Sequence, residues 1–169
     1  DLGVYYVYAS SALALDGYSD GDQLIDVLPP LSVSDYGKFK GRCEIDLKKR
    51  DQLRSLAIRF SSIHGWSPWK DTRTVSLFKK LRSNQKIQVS EGVIQNRLSD
   101  RALVEGIAGL IEAETMGVAH LGATDSSGEL EFLARLARRF GYSGRNIVPG
   151  EERRVCLLYT SPSPRDKTV

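Results

Sequence analysis

The chain has 169 residues, of which 41% are hydrophobic and 27% charged, as is usual for one soluble globular domain or a piece of one. Its formal net charge is only +3, and its basic residues are interspersed with acidic ones, so binding to nucleic acid or to a membrane surface is not expected. No apolar run approaches the ~20 residues of a membrane span and no signal peptide opens the chain, which favours a cytoplasmic location.

The first part of the chain predicts a strand followed by a long loop. Residues 1–9 form an apolar run that indicates a buried strand, with no initiator methionine before it. A polar stretch rich in turn residues then extends from Ser10 to Asp35. Loops of this length usually carry a function.

A helix is predicted directly after this loop. Ser34 or Asp35 can cap its N-terminus, and the pattern continues to about Lys49. Three apolar side chains of this helix share one face, namely Phe39, Cys43 and Leu47.

The rest of the chain alternates between short apolar strands and helices. Strands are predicted at residues 55–60, 86–89 and 117–121. Helices are predicted at residues 72–81, 102–113 and 127–140, the last ending at Gly141. This alternation favours an α/β fold with a largely parallel sheet.

Tyr36 and Lys40 are the first candidate functional residues. Side chains four residues apart on a helix project from one face, so both can address one bound molecule. A cation beside a phenol favours the phenolate, which makes the phenol a better proton donor. Ser10 and Ser11 follow the first strand, and open α/β sheets bind ligands at the carboxyl ends of their strands. We therefore predict one proton-transfer site from these residues.

The cysteines and histidines predict neither a disulfide framework nor a metal site. Cys43 and Cys156 lie far apart and form no Cys-x-x-Cys pair, and His64 and His120 are isolated in the sequence. We expect no bound metal.

These motifs, in this order, resemble those of the extended short-chain dehydrogenases/reductases, and most closely the dTDP-4-dehydrorhamnose reductase-like branch. The strand end Tyr6–Ser11 and the turn at Asp16-Gly17 are similar to the family's Ser-Ser/Thr strand end and "FDG" turn. Residues 30–44 resemble its "P-L-x-x-YGxxKxxGE" helix. The similarity continues through residues 56–59, 65–66 and 117–122, and it covers nearly everything from Val4 to Pro149.

The resemblance implies a fold and an activity. Residues 1–155 would form the C-terminal part of a Rossmann-like doubly wound parallel sheet, with a small α/β substrate-binding subdomain. The activity implied is NAD(P)-dependent reduction of a nucleotide-linked 4-keto sugar, with NADP or NAD as cofactor and the nucleotide sugar as the binding partner. Tyr36 would protonate the sugar carbonyl, Lys40 would hold the nicotinamide ribose together with Tyr36, and Ser11, rather than Ser10, would orient the carbonyl. A homodimer is left open.

Several alternatives remain at this point. The chain could instead belong to a nucleotide-sugar epimerase or dehydratase, or to a non-catalytic cofactor-binding regulator similar to the regulatory subunit of methionine adenosyltransferase. A purely structural domain is the least favoured, because the polar set of Ser11, Tyr36 and Lys40 is retained. Gly37 and Gly41 are interpreted as packing residues within the helix, and Trp66 as a core residue.

The chain departs from the family pattern in two places. The Gly-rich phosphate-binding turn has no counterpart, and the missing part, on the order of a hundred residues at roughly 30 per βαβ unit, is expected to precede Asp1. We therefore expect these residues alone to be inactive. Residues 91–102 lack the usual "D-Q-x-x-x-P-T", which leaves the identity of the sugar nucleotide open.

The end of the chain is unlike the rest. Residues 156–166 change abruptly to a Ser/Pro tract that resembles a translated sequencing adapter, and the alternative is a disordered Ser/Pro tail. We expect residues 156–169 to be a non-native tail, so that the chain is truncated at both ends.

Overall fold

A computed structural model describes residues 4–18, 28–50, 52–67, 72–89, 94–150 and 156–157. Its helices are α1 (Asp35–Lys48), α2 (Arg73–Arg82), α3 (Asp100–Glu112), α4 (Glu129–Arg139) and a short 3₁₀ helix (Ala12–Leu15). Its strands are β1 (Tyr5–Ala9), β2 (Arg54–Phe60), β3 (Ser62–His64), β4 (Ile87–Val89), β5 (Ile94–Gln95), β6 (Arg97–Ser99), β7 (Gly117–Leu121), β8 (Ser127–Gly128), β9 (Ile147–Pro149) and β10 (Cys156–Leu157). All four predicted α-helices and the longer predicted strands are confirmed.

A parallel sheet with the order β1-β2-β7 forms the centre of the fold. The apolar run of β2 is buried, as expected of a central parallel strand. It packs with β6, α3 and β7 in one hydrophobic cluster, formed by Leu56, Ile58, Leu98, Leu110, Ala119 and Leu121. Because the three strands are parallel, their carboxyl ends after Ala9, Phe60 and Leu121 lie at the same edge of the sheet.

A second hydrophobic cluster lies among α2, α4, β4 and β9. Its buried members are Leu77, Leu81, Ile87, Val89, Ala137 and Ile147. β4 and β9 pair in parallel, whereas β5 and β8 form an antiparallel pair. The α/β fold with a largely parallel sheet is therefore confirmed, whereas the division at residue 155 stays a prediction.

Two packing expectations, for Tyr6 and Trp66, were wrong. Tyr6 of β1 is 44% exposed, because β1 pairs only with β2 among the described residues. In α1 the buried residues are Gly37, Gly41 and Glu44, and Phe39 is 61% exposed. Trp66 is 62% exposed rather than in the core, with its ring 5.9 Å from that of Phe78.

Most of the predicted tail and the first three residues lie outside the described residues. The backbone of Cys156–Leu157 pairs in parallel with Ile94–Gln95. None of the helices in the described ranges is both long enough and apolar enough to cross a membrane.

Candidate active site

Ser10 and Ser11 stand at the end of β1 in different environments. Ser10 is 2% exposed, its backbone N–H donates to the carbonyl of Ile58 at 2.8 Å, and its hydroxyl donates to the carboxylate of Glu44. Ser11 is only half-buried and caps the 3₁₀ helix, since its Oγ accepts from the backbone N–H of Leu13 at 3.2 Å. Ser11 is therefore the more accessible of the two residues, and its role in orienting a carbonyl stays a prediction.

Glycines bring the start of α1 against this strand end. A Cβ on Gly37 would lie 2.0 Å from the carbonyl oxygen of Leu13, and one on Gly41 would lie 2.5 Å from Pro30. Ser34 caps the helix as predicted, because its Oγ accepts from the Gly37 N–H at 3.2 Å. The predicted packing role of both glycines is confirmed, and it places the first turn of α1 beside the 3₁₀ helix that Ser11 begins.

Lys40 connects the helix to the strand end. Its Nζ donates to the carbonyl oxygen of Ala9 at 2.8 Å, and it lies 5.7 Å from the ring centroid of Tyr36. Tyr36 is 53% exposed, so its phenol is open to a ligand. The structure thus brings Lys40, Tyr36 and the end of β1 together at the carboxyl edge of the sheet.

The ring of Tyr8 lies against the Lys40 ammonium, and the sequence did not predict Tyr8 as a site residue. The Lys40 Nζ lies 4.9 Å from its ring centroid, in cation–π range. Burial, assisted by the neighbouring Cys43 thiol, raises the pKa of the Tyr8 phenol, which makes this phenol a weaker proton donor than an ordinary tyrosine. Tyr8 consequently supplies a surface for Lys40 and is a poor candidate for a second acid.

A buried polar network lies behind the site. Glu44 and Arg59 have side chains only 2% and 1% exposed and form an ion pair with a 2.6 Å contact. Arg59 also donates from Nη1 to Nε2 of His120 at 3.3 Å and from Nη2 to the carbonyl of Leu28 at 3.1 Å. Because a guanidinium only donates, Nε2 of His120 must accept, and its ring proton lies on Nδ1. Burial and the Arg59 charge lower the pKa of His120 to about 3, which keeps its ring neutral.

The sequence contained signals for this network, although only Glu44, the last residue of the matched helix motif, was part of a predicted motif. Arg59 and His120 are charged or titratable residues within apolar strands, and such groups need a buried partner. Glu44 stands four residues after Lys40, so it shares the inward face of α1.

Taken together, the site presents an exposed phenol, an ammonium and a hydroxyl at the carboxyl edge of a parallel sheet. These groups can hydrogen-bond a carbonyl oxygen and give it a proton. Among the residues that the structure describes, no three His, Cys, Asp or Glu side chains come close enough to hold a metal ion.

Comparisons with known proteins relate the chain by fold and not by sequence. No protein-family model matches it, and no curated protein matches it significantly.

Solved structures, in contrast, match it over nearly its whole length. dTDP-4-dehydrorhamnose reductase from Bacillus anthracis, in complex with NADP, has a TM-score of 0.85 at 18% identity, covering 98% of this chain and 60% of that one. dTDP-glucose 4,6-dehydratase from the same organism, in complex with NAD, has a TM-score of 0.79 at 15% identity. The match covers 96% of this chain and 54% of the dehydratase. UDP-N-acetylglucosamine 4-epimerase from Bacillus cereus has a TM-score of 0.69 at 18% identity. The match covers 96% of this chain and 56% of the epimerase.

The fold is therefore the Rossmann-like α/β fold of these nucleotide-sugar enzymes, and the chain spans about 60% of the length of the B. anthracis reductase.

Proposed function

We propose that this chain is the proton-transfer part of an NAD(P)-dependent reductase that acts on a nucleotide-linked 4-keto sugar. The observation that carries the proposal is the position of Lys40, which is hydrogen-bonded to Ala9 at the strand end and lies beside the exposed Tyr36. Ser11 directly follows the buried Ser10 at the same strand end.

Each residue has a role that follows from its chemistry. Tyr36 Oη gives its proton to the oxygen of the sugar carbonyl, and the Lys40 ammonium stabilises the phenolate that remains. The Ser11 hydroxyl donates to the same carbonyl oxygen and orients it. The cofactor supplies the hydride that reduces the carbonyl carbon.

The residues present fit one part of such a cofactor. The Tyr36 phenol and the Lys40 ammonium can hydrogen-bond the hydroxyls of a nicotinamide ribose. The 169 residues contain no Gly-x-Gly-x-x-Gly or Gly-x-x-Gly-x-x-Gly turn for a pyrophosphate, so we propose that the pyrophosphate is held by residues outside this sequence. The complexes of the similar reductase with NADP and of the similar dehydratase with NAD support either cofactor.

The test uses the protein expressed from the complete reading frame that contains these residues. Oxidation of NADPH and NADH is followed with a panel of dTDP- and UDP-linked 4-keto sugars. We expect stoichiometric oxidation with at least one sugar. Tight binding of NADPH without turnover on any sugar would contradict the proposal and would favour the non-catalytic regulator.

A second candidate is a nucleotide-sugar epimerase or dehydratase, which the likeness to structures of both kinds supports. These reactions return the hydride to the sugar, so the net amount of reduced cofactor does not change. Product analysis by mass spectrometry separates the candidates, because reduction adds two hydrogens to the sugar, epimerisation leaves its mass unchanged and dehydration removes one water.

A further inference from the structure

One carboxylate connects three elements around the proposed site. Glu44 lies one turn after Lys40 on the inward face of α1 and is 4% exposed. It accepts a hydrogen bond from the Ser10 hydroxyl at the end of β1. It also accepts from Arg59, near the end of β2. The Nε of Arg59 lies 3.0 Å from Oε1 and 3.1 Å from Oε2 of Glu44, and its Nη2 lies 2.6 Å from Oε2. Glu44 therefore fixes α1 to two strand ends at once.

Arg59 determines which groups donate and which accept in the hydrogen bonds of Glu44. A guanidinium has only donors and is always charged, so it keeps Glu44 in the role of acceptor. Ser10 must then donate its hydroxyl proton to Glu44. The neutral ring of His120, on the far side of Arg59, brings no second positive charge to compete for the carboxylate.

Stability alone does not account for this arrangement. A buried ion pair loses the hydration of both charges, and well-packed apolar residues of similar volume are often equally or more stabilising. What the pair adds is a defined geometry, because charged groups with several hydrogen bonds tolerate few alternative positions.

The geometry that Glu44 defines is that of the proposed site. Helix α1 holds two consecutive residues of the strand end, since Lys40 binds the carbonyl of Ala9 and Glu44 binds the hydroxyl of Ser10. The next residue is Ser11. We propose that Glu44 is a positioning residue, which acts through Ser10 to hold Ser11 in register with Tyr36 and Lys40. It touches no ligand itself, and the inference rests on the proposed reduction.

The kinetic test is a double-mutant cycle of Ser10→Ala and Glu44→Gln in the complete protein. Ser10→Ala removes the link to β1 and leaves the ion pair intact, so it should fold even where Glu44→Gln does not. We expect each variant to lower kcat at least tenfold per folded molecule while the KM for the sugar changes less than threefold. The double variant should be no slower than Glu44→Gln, because both changes break the same link.

A wild-type kcat in folded Ser10→Ala would overturn the inference, as would fully additive losses in the double variant. Glu131→Gln is the matched control, because it removes a carboxylate from an exposed ion pair with Arg135 on α4. This control should keep the wild-type kcat.

Hydrogen exchange tests the link without any enzymatic activity, so it separates failure of this inference from failure of the proposed function. The amides of residues 37–41 should exchange at least tenfold faster in Ser10→Ala, whereas those of α3 should not change. Unchanged exchange at residues 37–41 in Ser10→Ala would show that Glu44 does not hold α1 through Ser10.

Discussion

Gly37→Ala is the substitution whose effect the structure predicts most sharply. The new methyl carbon would lie 2.0 Å from the carbonyl oxygen of Leu13 and 2.1 Å from Oγ of Ser32. The Ser32 side chain can rotate away, but the Leu13 carbonyl belongs to the backbone of the 3₁₀ helix. Side-chain Cβ atoms essentially never approach another heavy atom within 3.0 Å, so α1 must retreat by about 1 Å, the difference between 3.0 and 2.0 Å.

The expected cost is larger than the gain in helix propensity. Replacing glycine by alanine inside a helix stabilises it by up to ~1 kcal/mol, whereas overpacking of this kind costs typically about 1–3 kcal/mol and occasionally more. We expect Gly37→Ala to lower the free energy of unfolding by about 1–2 kcal/mol. A displacement of about 1 Å of Tyr36 and Lys40 should also lower kcat on the order of 100-fold.

Gly109→Ala is the matched control, because it changes the same residue type within α3 and its new methyl group would have no neighbour within 4 Å. Urea denaturation of both variants, followed by circular dichroism, gives the two free energies. Gly109→Ala should be as stable as wild type or up to ~1 kcal/mol more stable. If Gly37→Ala were as stable as Gly109→Ala, the close approach of α1 to the 3₁₀ helix would be refuted.

Three further changes test other parts of the account. Burial and the Arg59 charge lower the pKa of His120 from 6.5 to about 3, so below pH 6.5 the unfolded chain binds a proton that the folded chain does not, and the free energy of unfolding falls. Urea denaturation should show that His120 lowers the free energy of unfolding by roughly 2 kcal/mol between pH 7.5 and 5.0. An equal loss in His120→Asn would show that the pH dependence does not come from His120. Ser11→Ala should lower kcat by about 100-fold or more, and a steady-state rate within threefold of wild type would remove Ser11 from the site. Thr72 caps the N-terminus of α2, because its Oγ1 accepts from the Val75 N–H at 3.2 Å. Thr72→Ala should therefore lower the stability by about 1 kcal/mol in thermal denaturation, and an unchanged melting temperature would refute the cap.

Local patterns were sufficient to predict the parts of the site that lie within one element. The cap at Ser34, the spacing of Tyr36 and Lys40 and the two helical glycines all act within α1 or against the loop just before it. The central sheet was also predictable, because β2 and β7 are apolar runs of the length that a buried parallel strand requires.

The parts that the sequence did not predict depend on distant partners or very short segments. Glu44, Arg59 and His120 are brought together across 15 and 61 positions of the chain, and no periodicity reports such pairing. Strands β5 and β6 have only two and three residues, too few for an alternating pattern. Trp66 was misassigned because a large apolar side chain by itself does not reveal which way the loop turns it.

The role of Tyr36 as proton donor is tested by comparing Tyr36→Phe with Tyr142→Phe in the complete protein. Both changes remove one phenol oxygen, but only Tyr36 stands beside Lys40 at the end of β1. With NADPH and the preferred keto sugar, Tyr36→Phe should lower kcat by about 100-fold or more, while the dissociation constant for NADPH should rise by about tenfold at most, the effect of losing one hydrogen bond to the ribose. Tyr142→Phe should keep the wild-type rate. Undiminished turnover in Tyr36→Phe would rule out Tyr36 as the proton donor.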